Sequence, residues 1–545
     1  MATISPGQFQ GARALNKQEL LLRAKALNCT LAKSSKPTCS GQLDVGIFFD
    51  GTGNNMSEDF DKQPPQSRKH SNVVKLFRTH QLNLKLGQYA YYVPGVGTPF
   101  PKVDGFMGSI AGGAFAWNGE SRITWAFTQL LNTPKLYVLN DTLLDEDKAA
   151  EVASNLASSL TPPAIRRNAL RYWQDQLKAA IKDKKPTIEQ INLTVYGFSR
   201  GAAEARAFCN WLFEVCDHDK GVWLFAGMPI RIGFLGIFDT VASVGIPNSL
   251  ANTIMEGHQS WADNNMTIHP AIEQCVHFVA GHEVRAAFPL DSVRDKNIYP
   301  ANAREVMYPG SHSDLGGGYA PNDLGIAPGP RDGICVIPGA QMYNDARLAG
   351  APLVPWSRLD GTTRDDFIAA PQTIADFNAY LQATNFGKGS VETLHRKHMS
   401  LYLSYRYKYR NHIEQHSFYR RAKPKHQEYL RFTSGTINRR LRAMSGYQVP
   451  PTSSDFDVVE AVRQERKRIA MVGPHNFIDN RTIELCDLVA TFDVTQLTAP
   501  IEHFYGHHIH DSMAGFIDMG GVFTNEFWIN GSGIMRFRKI FKGDD

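Results

Sequence analysis

The segment Gly197-Phe198-Ser199-Arg200-Gly201 sets a serine between two glycines. Such a serine becomes a nucleophile when a strand runs into it and a helix leaves it. The sharp turn lifts Oγ clear of the sheet, and the helix start offers unpaired N–H groups. Both neighbours are predicted: Ile191–Tyr196 is apolar and β-prone, and a helix-forming run begins near Arg200. The chemistry implied is attack on an acyl carbonyl, which requires a base to take the hydroxyl proton and an acid to orient that base. Asp239 ends the apolar run Arg231–Phe238, a strand covered on both faces, and so falls at the rim where open α/β sheets carry their sites. His312 opens the loop His312-Ser313-Asp314-Leu315-Gly316-Gly317-Gly318-Tyr319. The chain order Ser199, Asp239, His312 is that of α/β-hydrolases.

An oxyanion hole would combine the backbone N–H of Arg200 with that of Gly51 or Thr52, in the turn after the strand-like Leu43–Phe49. Asp314 is an alternative partner for the histidine, although it better suits a role in holding the glycine loop. His510 is an alternative base, in a cluster with His507 and His508. No Cys pair or second His pair stands beside that cluster, so no metal is expected, and the mechanism needs no cofactor. The turn Asp50-Gly51-Thr52 matches half of a haloacid-dehalogenase phosphatase signature. Phe48 fills the nucleophile's place there and cannot accept a phosphoryl group. Gly51-Thr52-Gly53 is too short to cradle a dinucleotide.

Four ordered segments, Phe49-Asp50-Gly51-Thr52-Gly53-Asn54, Gly197–Ala202, Phe238-Asp239-Thr240-Val241 and His312–Tyr319, resemble the signatures of the type VI secretion phospholipase effectors, family 1. The resemblance spans roughly residues 40–330, with an echo at His510–Phe516. It implies an α/β-hydrolase fold and a phospholipase A with Ser199, Asp239 and His312 as its triad. It also implies delivery on a secretion spike protein into the periplasm of a rival bacterium, attack on membrane phospholipids, and a cognate immunity protein in the producer.

Composition agrees with a soluble α/β enzyme. The chain has 545 residues, 43% of them hydrophobic, with a formal net charge of +5, so the whole surface is no polyanion binder and no nucleic-acid partner is expected. Seven dispersed cysteines without a C-x-x-C fit a reducing cytosol rather than a disulfide framework. Met1–Asn28 lacks the apolar core of a signal peptide, so synthesis in the bacterial cytoplasm without one is expected. No apolar stretch reaches the roughly 18 residues of a membrane span.

The expected organisation is a polar extension (1–42), a catalytic domain with a mostly parallel sheet flanked by helices (43–330), a helical and loop-rich module (331–500) and a C-terminal segment (501–545) that returns to the catalytic core. Helices are predicted near Lys17–Leu27, Asn72–Leu82 and Ala164–Lys182, and further strands at Tyr89–Val93 and Cys275–Ala280. An apolar, glycine-rich patch at Gly105–Trp117 precedes another helix. The Pro- and Gly-rich stretch Pro321–Pro355 reads as a boundary of loops. Residues 388–445 interleave cations with aromatics, a composition that suits an anionic bilayer surface, RNA or single-stranded DNA, or a solvated helical pair with buried tyrosines. The candidate membrane contacts are Arg406, Lys408, Arg410, Arg420, Arg421, Tyr405, Tyr407 and Tyr409.

Overall fold

The computed structural model describes residues 2–27, 39–104, 119–157, 162–242, 260–285, 288–444, 458–473, 486–515 and 538–542. The Gly105–Trp117 patch, the Ser243–Gly245 end of the acid-bearing loop and Phe516 lie outside them. In chain order the strands are β1 (Thr3–Ile4), β2 (Ser40–Phe49), β3 (Gln88–Val93), β4 (Thr187–Phe198), β5 (Asp217–Asp219), β6 (Val222–Phe225), β7 (Met228–Phe238), β8 (Cys275–Ala280), β9 (Leu290–Ser292), β10 (Ala303–Tyr308), β11 (Lys388–Gly389) and β12 (Ile540–Lys542).

The main sheet runs β11-β1-β10-β8-β7-β4-β2-β3. From β1 to β3 every pairing along this path is parallel, and only β11 runs against its neighbour. β5 and β6 form an antiparallel flap on β7. The chain builds β2 and β3 to one side, then β4, β7, β8 and β10 to the other. The strand order therefore reverses between β2 and β4, and ligands bind open α/β sheets in the crevice at such a switch point.

β4 shows why the sheet is covered twice. Ile191, Leu193 and Val195 join one hydrophobic cluster, with Phe127 and Leu131 of the helix Gly119–Leu139 and Phe208 and Leu212 of the helix Arg200–Val215. Tyr196 and Phe198 point the other way, into a second cluster with Met342 and Tyr343. Alternation along one strand thus feeds two cores, which is why the run reads as continuously apolar. The second cluster extends from Phe9 through Tyr380 and Tyr402 to Phe504 and Met513, so residues beyond 330 and beyond 500 share a core with the sheet. The N-terminus is tied in as well: Thr3 Oγ1 donates to the buried Glu305, which also pairs with His277.

The predicted helices form at Lys17–Leu27, Asn72–Thr79 and Pro163–Ala180. Pro321–Pro355 departs from the expected run of loops, because it contains the helix Val336–Leu348. Pro338 lies in its first turn, where a missing N–H costs nothing, and Gly339 lets Asn72 pack within contact distance of the backbone. Among the described residues no helix is long and apolar enough to cross a membrane.

Candidate active site

β4 and β7 are neighbours in register, with Phe198 opposite Phe238, so Ser199 and Asp239 leave the sheet side by side at its C-terminal edge. Ser199 has φ +57° and ψ −125°. A non-glycine residue there is strained by about 1–3 kcal/mol and persists only where its surroundings fix it. They do: its N–H donates to Phe238 O (2.9 Å), and its carbonyl accepts from Ala202 N (3.1 Å) and Val241 N (3.2 Å). The helix Arg200–Val215 starts at once. Gly201 is required by proximity, since a Cβ there would sit 2.3 Å from Asp50 O and 2.4 Å from Phe49 O.

His312 is the first residue of a short helix, His312–Gly316, capped by Ser311 and Asp314 in a reciprocal box. Its Nδ1 bonds Asp239 Oδ2 at 2.6 Å. Its ring is held between Phe198 and Phe288, with centroids 4.7 and 5.0 Å away. The triple glycine makes this possible: a Cβ on Gly316 would lie 2.0 Å from the Phe198 ring. Ser199, Asp239 and His312 are all buried. Among the described residues no hydrogen bond links Ser199 Oγ to His312, and such contacts often tighten only when substrate is bound.

Charge around the pair is set by residues that carried no motif. Arg538 donates to both oxygens of Asp239 (2.9 and 2.6 Å) and to Phe288 O (2.7 Å). Burial alone would raise the Asp239 pKa, but the charge of Arg538 and the bond and charge of His312 outweigh it and hold the carboxyl below its ordinary range. Burial lowers the His312 pKa, with Asp239 opposing, and this favours the neutral imidazole. Glu283 accepts the His312 N–H (3.2 Å) while paired with Arg285 (2.9 and 3.0 Å). Burial opposes its ionisation, yet Arg285 brings its pKa down to about 2. A buried Tyr380 hydroxyl, bonded to His282, His398 and Tyr505, ties the turn before His312 to the helices after residue 370, because His282 Nδ1 accepts from Gly310 N (2.9 Å).

The oxyanion candidates separate. Gly51 N–H is engaged by Asp50 Oδ1 (2.8 Å). Asp50 also accepts from Ser71 Oγ and Tyr92 OH (2.6 Å each), and burial pushes its pKa up to about 6 despite these bonds. Thr52 and Arg200 are joined through Arg200 Nη1 to Thr52 Oγ1 (3.2 Å), which brings the two loops together. Burial takes the Arg200 pKa down to about 10.

Asp314 and His510 pair with each other rather than with the first dyad. His510 Nδ1 lies 2.6 Å from Asp314 Oδ1, and its ring stacks on Tyr319 at 3.8 Å. The histidine cluster is likewise divided. His508 Nε2 meets Asp376 Oδ2 (2.8 Å), shared with His503 (3.2 Å), and His507 bonds His503 O. Among the described residues Asp376, His503 and His508 are the group whose ligand atoms converge closely enough for a metal.

Two of the expected membrane contacts need correction. Tyr405 and Arg406 are buried, not displayed: Arg406 pairs with Asp511 (2.8 Å) and Tyr402 OH (3.1 Å), and Tyr405 belongs to the second core cluster. Lys408 is bridged to Glu502 (2.6 Å), Arg410 lies over the Tyr407 ring (4.1 Å), and Arg421 donates to Gly325 O (3.0 Å). Tyr407 and Tyr409 are half-buried, and Arg420 is exposed. Tyr405 and Arg406, on the helix Val391–Lys408, serve its own packing, because long stems and Tyr rings bury their bodies against the core.

Residues 45–216 and 218–344, more than half of the chain, match the family model described as type VI secretion system (T6SS), phospholipase effector Tle1-like, catalytic domain. The chain belongs to this family. As a Tle1-like protein it is a phospholipase-type effector of type VI secretion. No curated protein matches it. A crystal structure of an uncharacterized protein from Pseudomonas aeruginosa shares its fold, with a TM-score of 0.74 and 24% identity, covering 99% of this chain and 84% of that one. A structure described as the Tle1 effector bound to the VgrG spike aligns at TM-score 0.28 and 21% identity, over 54% of this chain and 56% of that one.

Proposed function

We propose that this Tle1-like protein is an antibacterial phospholipase A that works by serine acyl transfer. One observation carries the reading: a strained serine at the end of β4 stands beside an aspartate at the end of β7, and that aspartate holds Nδ1 of a buried histidine. Ser199 Oγ attacks an acyl ester carbonyl of a glycerophospholipid. His312 Nε2 takes the hydroxyl proton, while Asp239 fixes the tautomer and stabilises the imidazolium. Backbone N–H groups of Arg200 and Thr52 receive the developing oxyanion. His312 then protonates the leaving alcohol, and water releases the fatty acid from the acyl-enzyme by the reverse proton path. The neutral imidazole favoured by burial is the form that can act as base. Delivery on a secretion spike, action in the periplasm of a target cell and an immunity protein in the producer complete the proposal, and rest on the family.

The test is Ser199→Ala, assayed for fatty-acid release from phospholipid vesicles and for labelling by a fluorophosphonate. Both should vanish while the circular dichroism spectrum is kept. A folded Ser199→Ala protein that still releases fatty acid removes Ser199 as nucleophile.

A further inference from the structure

Helix Asn72–Thr79 buries a lysine that forms no ion pair within 4 Å among the described residues. Lys75 is only 5% exposed, and among the described residues the one hydrogen-bond partner of its Nζ is the Cys335 thiol at 3.8 Å. A buried ammonium is costly without an anion. Lys75 lines a cavity of about 400 Å³ together with Arg68, Ser313, Tyr319, Cys335 and His510. Arg68 lies over the Phe60 ring (4.0 Å), its Nε is buried without a hydrogen-bond partner, and no carboxylate pairs with it among the described residues. The acids around the cavity are committed elsewhere. Asp366 binds Arg78 and His70, Asp365 binds Arg331, and Asp314 binds His510 and Ser311. His510 Nε2 is also buried and unbonded. Two cations that make no ion pair among the described residues therefore share one concave space, next to the residue that follows His312. Ser199 itself is not part of the lining.

We propose that this cavity is a phosphate-binding subsite, with Lys75 and Arg68 taking the charged oxygens. A tetrahedral anion suits the set, because its several oxygens can accept from an ammonium and a guanidinium together. If the proposed lipid hydrolysis is right, the occupant is the phosphodiester of the substrate headgroup, held while the acyl ester reaches Ser199. A free phosphate would satisfy the same groups.

The experiment titrates the full chain with glycerophosphocholine and with inorganic phosphate by calorimetry at constant ionic strength. Lys75→Met should weaken binding by about tenfold or more, with Lys75→Arg restoring most of it. In hydrolysis, Lys75→Met should lower kcat/KM for a short-chain phosphatidylcholine by a similar factor and leave p-nitrophenyl butyrate within about twofold. Binding of phosphate without the diester keeps the anion site and removes the lipid headgroup as its source. Unchanged affinity for both anions in a folded Lys75→Met protein overturns the subsite, and so does an equal loss on the two esters. Calorimetry on Ser199→Ala separates this result from the hydrolytic reading, because anion binding survives there even if the serine assignment fails.

Discussion

Arg538→Met is the substitution that probes the site most sharply. Arg538 and Asp239 are both fully buried, with two short N–H···O contacts between them. Removing one partner of such a pair costs about 3–5 kcal/mol, because the other charge is left desolvated. Asp239 would keep its bonds from His312 and from Ala280 N (2.8 Å), so the lower part of that range is expected. Urea unfolding followed by circular dichroism measures the loss. The double variant Arg538→Met with Asp239→Asn discards both charges and should recover much of the stability, though none of the activity. An Arg538→Met protein within about 0.5 kcal/mol of wild type would show that the carboxylate does not depend on the arginine.

The same substitution has a pH signature with a fixed sign. The folded-state pKa of Asp239 is depressed, so its stabilisation is fully present above the unfolded value of about 3.9 and is lost as pH falls towards the native one. Without Arg538 the native pKa rises, and the loss begins at milder acidity. In the proposed mechanism the base is His312, whose pKa is lowered, so the acid limb of Ser199 phosphonylation should lie below pH about 6.5. In Arg538→Met the uncompensated Asp239 charge favours the imidazolium and moves that limb upward. Reduced stability with an unmoved limb would confine Arg538 to a structural part.

Gly201→Ala places a Cβ 2.3 Å from Asp50 O, a backbone atom that cannot swing aside, so fluorophosphonate labelling of Ser199 should fall at least tenfold with a lower melting temperature. Near-normal labelling would mean the turn is looser than its contacts suggest. His312→Ala should reduce lipid hydrolysis by about 10³-fold or more, as loss of a triad base does, whereas His510→Ala should retain labelling by the small phosphonate. The reverse pattern would move the base to His510.

What could be read from the sequence, and what could not, divides by the range of the interactions. The turn at Ser199 was legible because its signals are local: a β-prone run, two glycines forced by close backbones, and a helix start within ten residues. Asp239 followed from the same logic, since a strand end is visible in its own neighbourhood. The partner of Asp314 was not legible, because His510 lies 196 positions away and no periodicity links the two. Arg538 is 299 positions from the carboxylate it neutralises and sits among other cations of a C-terminal run, where nothing distinguishes the one that will be buried. The burial of Tyr405 and Arg406 is illegible in the sequence for a related reason. Composition gives the same cation and aromatic count whether a helix face meets solvent or packs over Asp511 and Tyr505, and only the fold brings those partners to it. A nucleophile can be announced by strain stored in its own turn. The charge beside Asp239 comes from wherever the chain returns, so the electrostatics of the candidate site depend on residues outside its sequence motifs.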